Sequence, residues 1–170
     1  MQDYSTYYAS PLGVLEIRSD GTSITAILFT NTEKGNKVDE STIQLNTSDV
    51  EVLKLCITQL DEYFSGKRKV FDFPIDQKGT DFQKEVWQKL TSIPYGNTIS
   101  YLDLSKKIGN PKAIRAVGTA NGSNHIAIAV PCHRVIGSNG ELTGYAGDLW
   151  RKKWLLEHEG KFENGLQTLF

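Results

Sequence analysis

The chain has 170 residues, 39% hydrophobic and 23% charged, with a formal net charge of −1. This is the balance of a globular protein of one medium or two small domains, and it excludes disorder and collagen-like repeats. The longest uninterrupted apolar run, Ile126 to Val130, falls well short of the roughly 20 residues that cross a bilayer, and Met1 to Val14 carries no basic-then-apolar leader, so a cytoplasmic chain without membrane contact is expected.

In chain order, Tyr4 to Phe29 alternates and turns: Tyr4-Ser-Thr-Tyr-Tyr8, Gly13-Val-Leu-Glu-Ile-Arg18, an Asp20-Gly21 hairpin signal, then Ile24-Thr-Ala-Ile-Leu-Phe29. β-Branched and aromatic runs broken by such residues predict a small antiparallel sheet. Asn31 to Asn46 is polar and reads as loop or edge strand. Leu53, Cys56, Ile57, Leu60 and Phe64 recur at helical spacing and stop at Gly66, which places Cys56 on an apolar face as a buried, inert thiol. Phe71 to Ile75 offers one more strand, and Gln77-Lys-Gly79 reads as a linker.

From Thr80 the period becomes helical. Thr80 with Gln83 forms a capping box ahead of the stripe Phe82, Val86, Trp87 and Leu90. Ser100 with Asp103 opens a second helix that stops at Gly109. Asn110-Pro111 is expected to start a third, Pro111 to Asn121, whose Ala113, Ala116, Gly118 and Ala120 make it slim. Together these two resemble a helix-turn-helix. Asp148 is expected to cap a last helix, Leu149 to Glu159, closed by Gly160, with His158 as a helix-end cation. The three tryptophans, at helical spacing, read as core. The expected fold is α+β: residues 1–77 as a sheet-plus-helix domain and 78–170 as a mainly helical one. Their net charges are −5 and +4, an asymmetry compatible with a polyanion partner for the second half.

Ile126 to Val130 reads as an apolar strand delivering Pro131-Cys132-His133-Arg134-Val135 into the Gly-rich segment Gly137 to Gly147. A thiol attacks only as thiolate, and a nearby imidazole can supply the base. Neighbours in an extended strand point to opposite faces, so Cys132 and His133 can meet only where Pro131 or the next turn bends the chain. By itself the dipeptide fits a buried thiol beside a structural histidine equally well. Arg134 reads as structural or functional alike. Two cysteines are too few for a disulfide framework or a four-cysteine zinc site.

Pro131-Cys-His-Arg-Val135 closely resembles the active-site motif of the O6-alkylguanine-DNA alkyltransferases. The resemblance runs from about Gly79 to Gly160, through Ile93-Pro-Tyr-Gly96, Ser100-Tyr101, Gly109-Asn-Pro-Lys-Ala-Ile-Arg115-Ala-Val-Gly118, Asn121-Gly-Ser-Asn124, Gly144-Tyr-Ala-Gly147 and Lys153-Trp-Leu-Leu-Glu-His-Glu159-Gly160. The first 75 residues match only in general layout. What the resemblance implies is a DNA repair protein that takes the alkyl group of O6-alkylguanine, and of O4-alkylthymine, irreversibly onto its own cysteine. Cys132 is then the acceptor, His133 removes its proton directly or through one water, and Glu159 orients that imidazole. Tyr101 protonates the leaving guanine. Arg115 fills the gap left by the extruded nucleotide, and Asn124 braces the turn. The backbone carbonyls of Cys132 and Val135 and amides near Tyr145 and Ala146 read the base edge. Beside the helix-turn-helix, Lys106, Lys107 and Lys112 suit phosphate contacts.

The chain departs from some members of that family. Residues 1–77 hold one cysteine and no histidine, so neither a structural zinc nor any cofactor is expected, and Ala146 stands where some relatives carry Ser. The expected partner is duplex DNA containing alkylated bases, met by a monomer. A helix-turn-helix regulator without transfer activity and a cysteine hydrolase are the alternative readings.

Overall fold

The computed structural model describes residues 2–35 and 37–164; the last six residues of the expected second domain lie outside that range. The chain forms two compact units, one holding the sequence up to Lys78 together with His125–Ala127, the other Gly79–Asn124 and the chain from Ile128 onward.

In the first unit β1 (Tyr4–Ser10), β2 (Gly13–Ser19) and β3 (Ile24–Phe29) form an antiparallel sheet in that order, with Tyr8 opposite Leu15 and Ile17 opposite Ile27. The second turn follows from its sequence: Asp20 Oδ1 accepts from the backbone N–H of Thr22 and Ser23, and Gly21 takes φ 104°, a conformation that favours glycine. Helix α1 (Glu51–Phe64) packs on the sheet through Val52, Leu53, Cys56, Leu60 and Tyr63. Cys56 is buried there, and burial pushes its thiol far above its ordinary value, as expected for an inert core cysteine.

The anticipated strand Phe71 to Ile75 shrinks to a single bridge, Ile75 to Ile24, because Pro74 has no N–H to add to a ladder; its carbonyl accepts from Ile24 N at 2.8 Å. Residue Ile126 makes a second bridge to the same strand, at Ile27. Two short segments thus cover part of an edge that a bare strand would leave open.

In the second unit α2 (Asp81–Leu90), α3 (Tyr101–Ile108) and α4 (Ile114–Gly122) pack on one another. The capping box at Thr80 and Gln83 forms with both of its bonds. Ser100 Oγ accepts from Asp103 N, and Gly109 closes α3 at φ 89°. Trp87 is core, its indole N–H donating to the Ala120 carbonyl at 2.9 Å and tying α2 to the end of α4. A two-residue parallel ladder joins β4 (Ile99–Ser100) to β5 (Val135–Ile136).

Four features differ from what the sequence predicts. The slim helix begins at Ile114, not Pro111, because Asn110 Oδ1 accepts from Lys112 N and closes a turn in place of a helix cap. Helix α5 (Leu149–Asn164) runs through Gly160, which does not take a left-handed conformation. A ladder of rings, Trp154 on His158 at 4.8 Å and His158 on Phe162 at 4.9 Å, spans that position, so His158 is a buried mid-helix residue and not a terminal cation. Trp150 is 53% exposed, beneath the Arg151 guanidinium at 4.4 Å, and is not core.

Candidate active site

Only Ile126 of the expected Ile126–Val130 strand pairs; Ala127 to Val130 turn instead, with Ile128 at φ 71°. A β-branched residue in that region is strained, at about 1–3 kcal/mol, and such strain persists only where the surroundings enforce it. Here Asn124 Nδ2 donates to the Val130 carbonyl at 2.8 Å. Pro131, at φ −82° and ψ 64°, then forms an inverse γ-turn closed by Cys132 N to Val130 O at 2.8 Å. Cys132–Arg134 continue as one turn of 3-10 helix, which packs against α2 and α5. The bend required for a Cys-His pair is therefore built by Pro131 and Asn124.

All three residues of that turn are buried, His133 completely. Helix α5 presents Glu159 to it. The carboxylate meets His133 Nε2 at 2.7 Å through Oε2, and accepts from Arg134 Nε (2.8 Å to Oε1), Arg134 Nη2 (3.0 Å to Oε2) and the Gly96 N–H (3.4 Å to Oε1). Burial by itself pushes the Glu159 carboxyl up, but the His133 and Arg134 charges and hydrogen bonds outweigh it and hold the group far below the usual carboxylate range. Burial is also the largest influence on His133 and lowers it against the pull of Glu159. A neutral imidazole facing a fixed carboxylate carries its proton on Nε2 and keeps the lone pair on Nδ1. That Nδ1 is buried and has no hydrogen-bond partner among the described residues, leaving an unengaged base in the turn that carries the thiol.

The Cys132 sulfur accepts a hydrogen bond from Asn124 Nδ2 at 3.1 Å. Burial raises the thiol, while the Asn124 bond and the nearby Lys152 charge lower it by less, so the resting group is a protonated thiol that needs a base at the moment of attack. Lys152 is fully buried, its ammonium donating to the carbonyls of Val135 at 2.6 Å and Thr143 at 3.0 Å; burial pulls it down to about 8. The β4–β5 ladder brings Tyr101, first residue of α3, to this cluster. Its hydroxyl donates to the Thr143 carbonyl at 3.2 Å, and its ring lies near Gly118 of α4. Burial raises this phenol above its ordinary value.

The structure thus gathers Cys132, His133, Glu159, Tyr101, Asn124 and Val135. Tyr145, on the Gly-rich segment, is half-buried, and burial first, then the nearby Cys132 and Glu159 groups, raises its phenol; the neighbouring Ala146 is exposed. Arg115, Lys106, Lys107 and Lys112 stay outside the cluster, exposed on α3, α4 and the turn between them. Three buried participants were not assigned from sequence: Arg134, Lys152 and Asn121. For Lys152 a signal exists, since it lies three and four residues before Leu155 and Leu156 and seven before Glu159, on the stripe that α5 buries. Among the described residues no group of His, Cys, Asp and Glu is arranged to hold a metal ion.

A buried cysteine, a histidine oriented by a carboxylate and a phenol at the same cluster define a protein built for attack by a thiol. Residues 4–77 match the ribonuclease-like domain, and residues 81–161 the DNA-binding domain, described for 6-O-methylguanine DNA methyltransferase. The chain is 45% identical over 157 residues to a methylated-DNA–protein-cysteine methyltransferase of Methanosarcina acetivorans, covering 92% of this chain and 98% of that one. Identity to the constitutive protein of that name from Bacillus subtilis is 47% over 147 residues, 85% of this chain and 87% of the relative. Among solved structures, O6-methylguanine methyltransferase of Mycobacterium tuberculosis superposes with a TM-score of 0.81 at 41% identity over 97% of each chain, and the same organism's OGT in complex with DNA with 0.78 at 41% over 93% of each. The chain belongs to the methylated-DNA–protein-cysteine methyltransferase family.

Proposed function

We propose that this protein repairs DNA by direct reversal, binding duplex DNA and moving the alkyl group of O6-alkylguanine, or of O4-alkylthymine, onto Cys132. The observation that carries this reading is the buried Cys132 thiol in one turn with a histidine whose Nε2 is committed to Glu159. His133 Nδ1 takes the thiol proton, directly or through one water, and the sulfur attacks the alkyl carbon. Tyr101 gives its proton to the ring of the departing guanine, which leaves as a neutral base. The sulfur–carbon bond forms as the carbon–oxygen bond breaks.

The unit from Gly79 onward carries catalysis and DNA binding, and the first unit supports it. The extruded base is read by the backbone carbonyls of Cys132 and Val135 and by amides near Tyr145 and Ala146. The Val135 carbonyl already holds Lys152, but a carbonyl has a second lone pair. Exposed Arg115 enters the base stack, and exposed Lys106, Lys107 and Lys112 meet phosphates. The small residues of α4 suit a minor groove only about 6 Å wide. The protein acts as a monomer in the cytoplasm, where Cys56 and Cys132 stay free thiols.

A regulator of undamaged DNA would have no use for an oriented, buried imidazole beside a thiol, and that arrangement favours transfer. Intact mass after incubation with a duplex carrying O6-methylguanine tests the reading. A gain of one methyl group by the wild type, absent with unmethylated duplex, supports it; an unchanged mass overturns it.

A further inference from the structure

Asn121 lies on α4 one turn beyond Gly118, on the face that Tyr101 covers. It is buried, 3% exposed, and its Nδ2 donates to the Cys132 carbonyl at 3.5 Å. Its amide pulls the Tyr101 phenol downward, against the larger rise that burial causes. Its Oδ1 is buried with no hydrogen-bond partner among the described residues. A buried amide with one unpaired end is unfavourable for folding compared with an apolar side chain of the same shape, so its place in the core calls for a reason other than stability.

We propose that Asn121 is a positioning residue for the transfer reaction, holding the Tyr101 hydroxyl in register with the backbone of the nucleophile and stabilising the phenolate left when Tyr101 gives up its proton. The inference rests on the transfer reading above. In the step itself the thiol proton goes to His133 and the Tyr101 proton to the guanine ring, so an imidazolium and a phenolate remain and the total charge is unchanged. An amide N–H that pairs with the Tyr101 oxygen as it becomes anionic would bind it more tightly than the neutral hydroxyl, because a hydrogen bond to an ion is roughly twice as strong as one between neutral groups. Asn121 and Asn124 thereby divide the work at Cys132: Asn124 holds the sulfur and Asn121 the carbonyl, linked onward to the acid.

The test is a cycle of single-turnover rates on duplex O6-methylguanine with the wild type, Asn121→Leu, Tyr101→Phe and the double variant, alongside thermal melting. Asn121→Leu should slow transfer about tenfold or more in the wild-type background and less than about twofold when Tyr101 is already Phe, because its effect passes through the lost hydroxyl. Its melting temperature should equal or exceed that of the wild type. Should Leu prevent folding, Asn121→Ser repeats the cycle, and its hydroxyl donor should retain part of the rate. An unchanged rate for Asn121→Leu, or the same fold-loss in both backgrounds, overturns the proposal. Absence of transfer by the wild type itself overturns instead the reading on which it rests.

Discussion

Arg134 grips Glu159 at both carboxylate oxygens, Nε at 2.8 Å from Oε1 and Nη2 at 3.0 Å from Oε2, while its Nη1 donates to the Ile93 carbonyl at 2.7 Å. Glu159 therefore has a permanent cation at both oxygens in addition to His133, and the two partners together hold the buried carboxylate ionised. The arrangement leaves the imidazole neutral and basic at rest, as a general base must be. The Arg134 charge also lowers His133, so the same contact limits how strong a base the imidazole is.

Removing that cation should be costly. Arg134→Met leaves a buried carboxylate facing one neutral histidine and should destabilise the protein by about 3–5 kcal/mol, read from urea unfolding. Arg134→Lys restores charge without the two-pronged fork and should fall between. Wild-type stability for the Met variant would mean that Glu159 needs no such partner.

Stability should fall in acid. Both His133 and Glu159 have folded-state values below their ordinary 6.5 and 4.5, so the unfolded chain binds more protons as the pH drops through those values. Linkage then makes stability rise with pH across that range and fall progressively below about pH 6.5, more steeply below about 4.5. Melting temperatures between pH 4 and 8 measure this, and a level profile down to pH 4 would contradict it.

Arg115→Ala should impair transfer from duplex DNA far more than from free O6-benzylguanine, if that base is accepted. Arg115 is exposed on the slim helix, outside the thiol cluster, and an empty position in the stack carries a few kcal/mol of unstacking that a free base never incurs. Equal losses on both substrates would remove the role.

Binding to DNA should weaken with salt and depend little on sequence. With about 3–5 phosphates neutralised by Lys106, Lys107, Lys112 and Arg115, log affinity against log salt should have a slope near −3 to −4. A flat profile, or strong selection of one undamaged site, would favour a regulator.

Much of this architecture is legible because it is local. The Asp20-Gly21 turn, the Thr80–Gln83 box and the Ser100 and Gly109 ends of α3 each depend on residues a few positions apart. What sequence reading misses depends on distant partners. Arg134 looks ambiguous until Glu159, 25 residues away, is brought to it, and Lys152 has meaning only beside the carbonyls of Val135 and Thr143. Ile126 to Val130 reads as a strand because its composition is apolar and β-branched. Asn124 and Pro131 override that propensity and turn it into the bend that exposes His133 to Glu159. Gly160 and Pro111 mislead for a related reason: tertiary packing of Trp154, His158 and Phe162 carries α5 past the glycine, and a side-chain bond from Asn110 delays α4 past the proline.

Cys132 should be consumed by the reaction. Attack of sulfur on an alkyl carbon yields a thioether, which offers no acyl centre for water to attack and so regenerate the thiol. The most direct measurement is product formed per chain with methylated duplex in large excess, followed by peptide mapping. Transfer should stop at one methyl group per molecule, located on Cys132; Cys132→Ala should transfer none while still binding DNA, and Cys56→Ala should transfer normally. Product exceeding protein several-fold, or a methyl group on Cys56, would contradict the account.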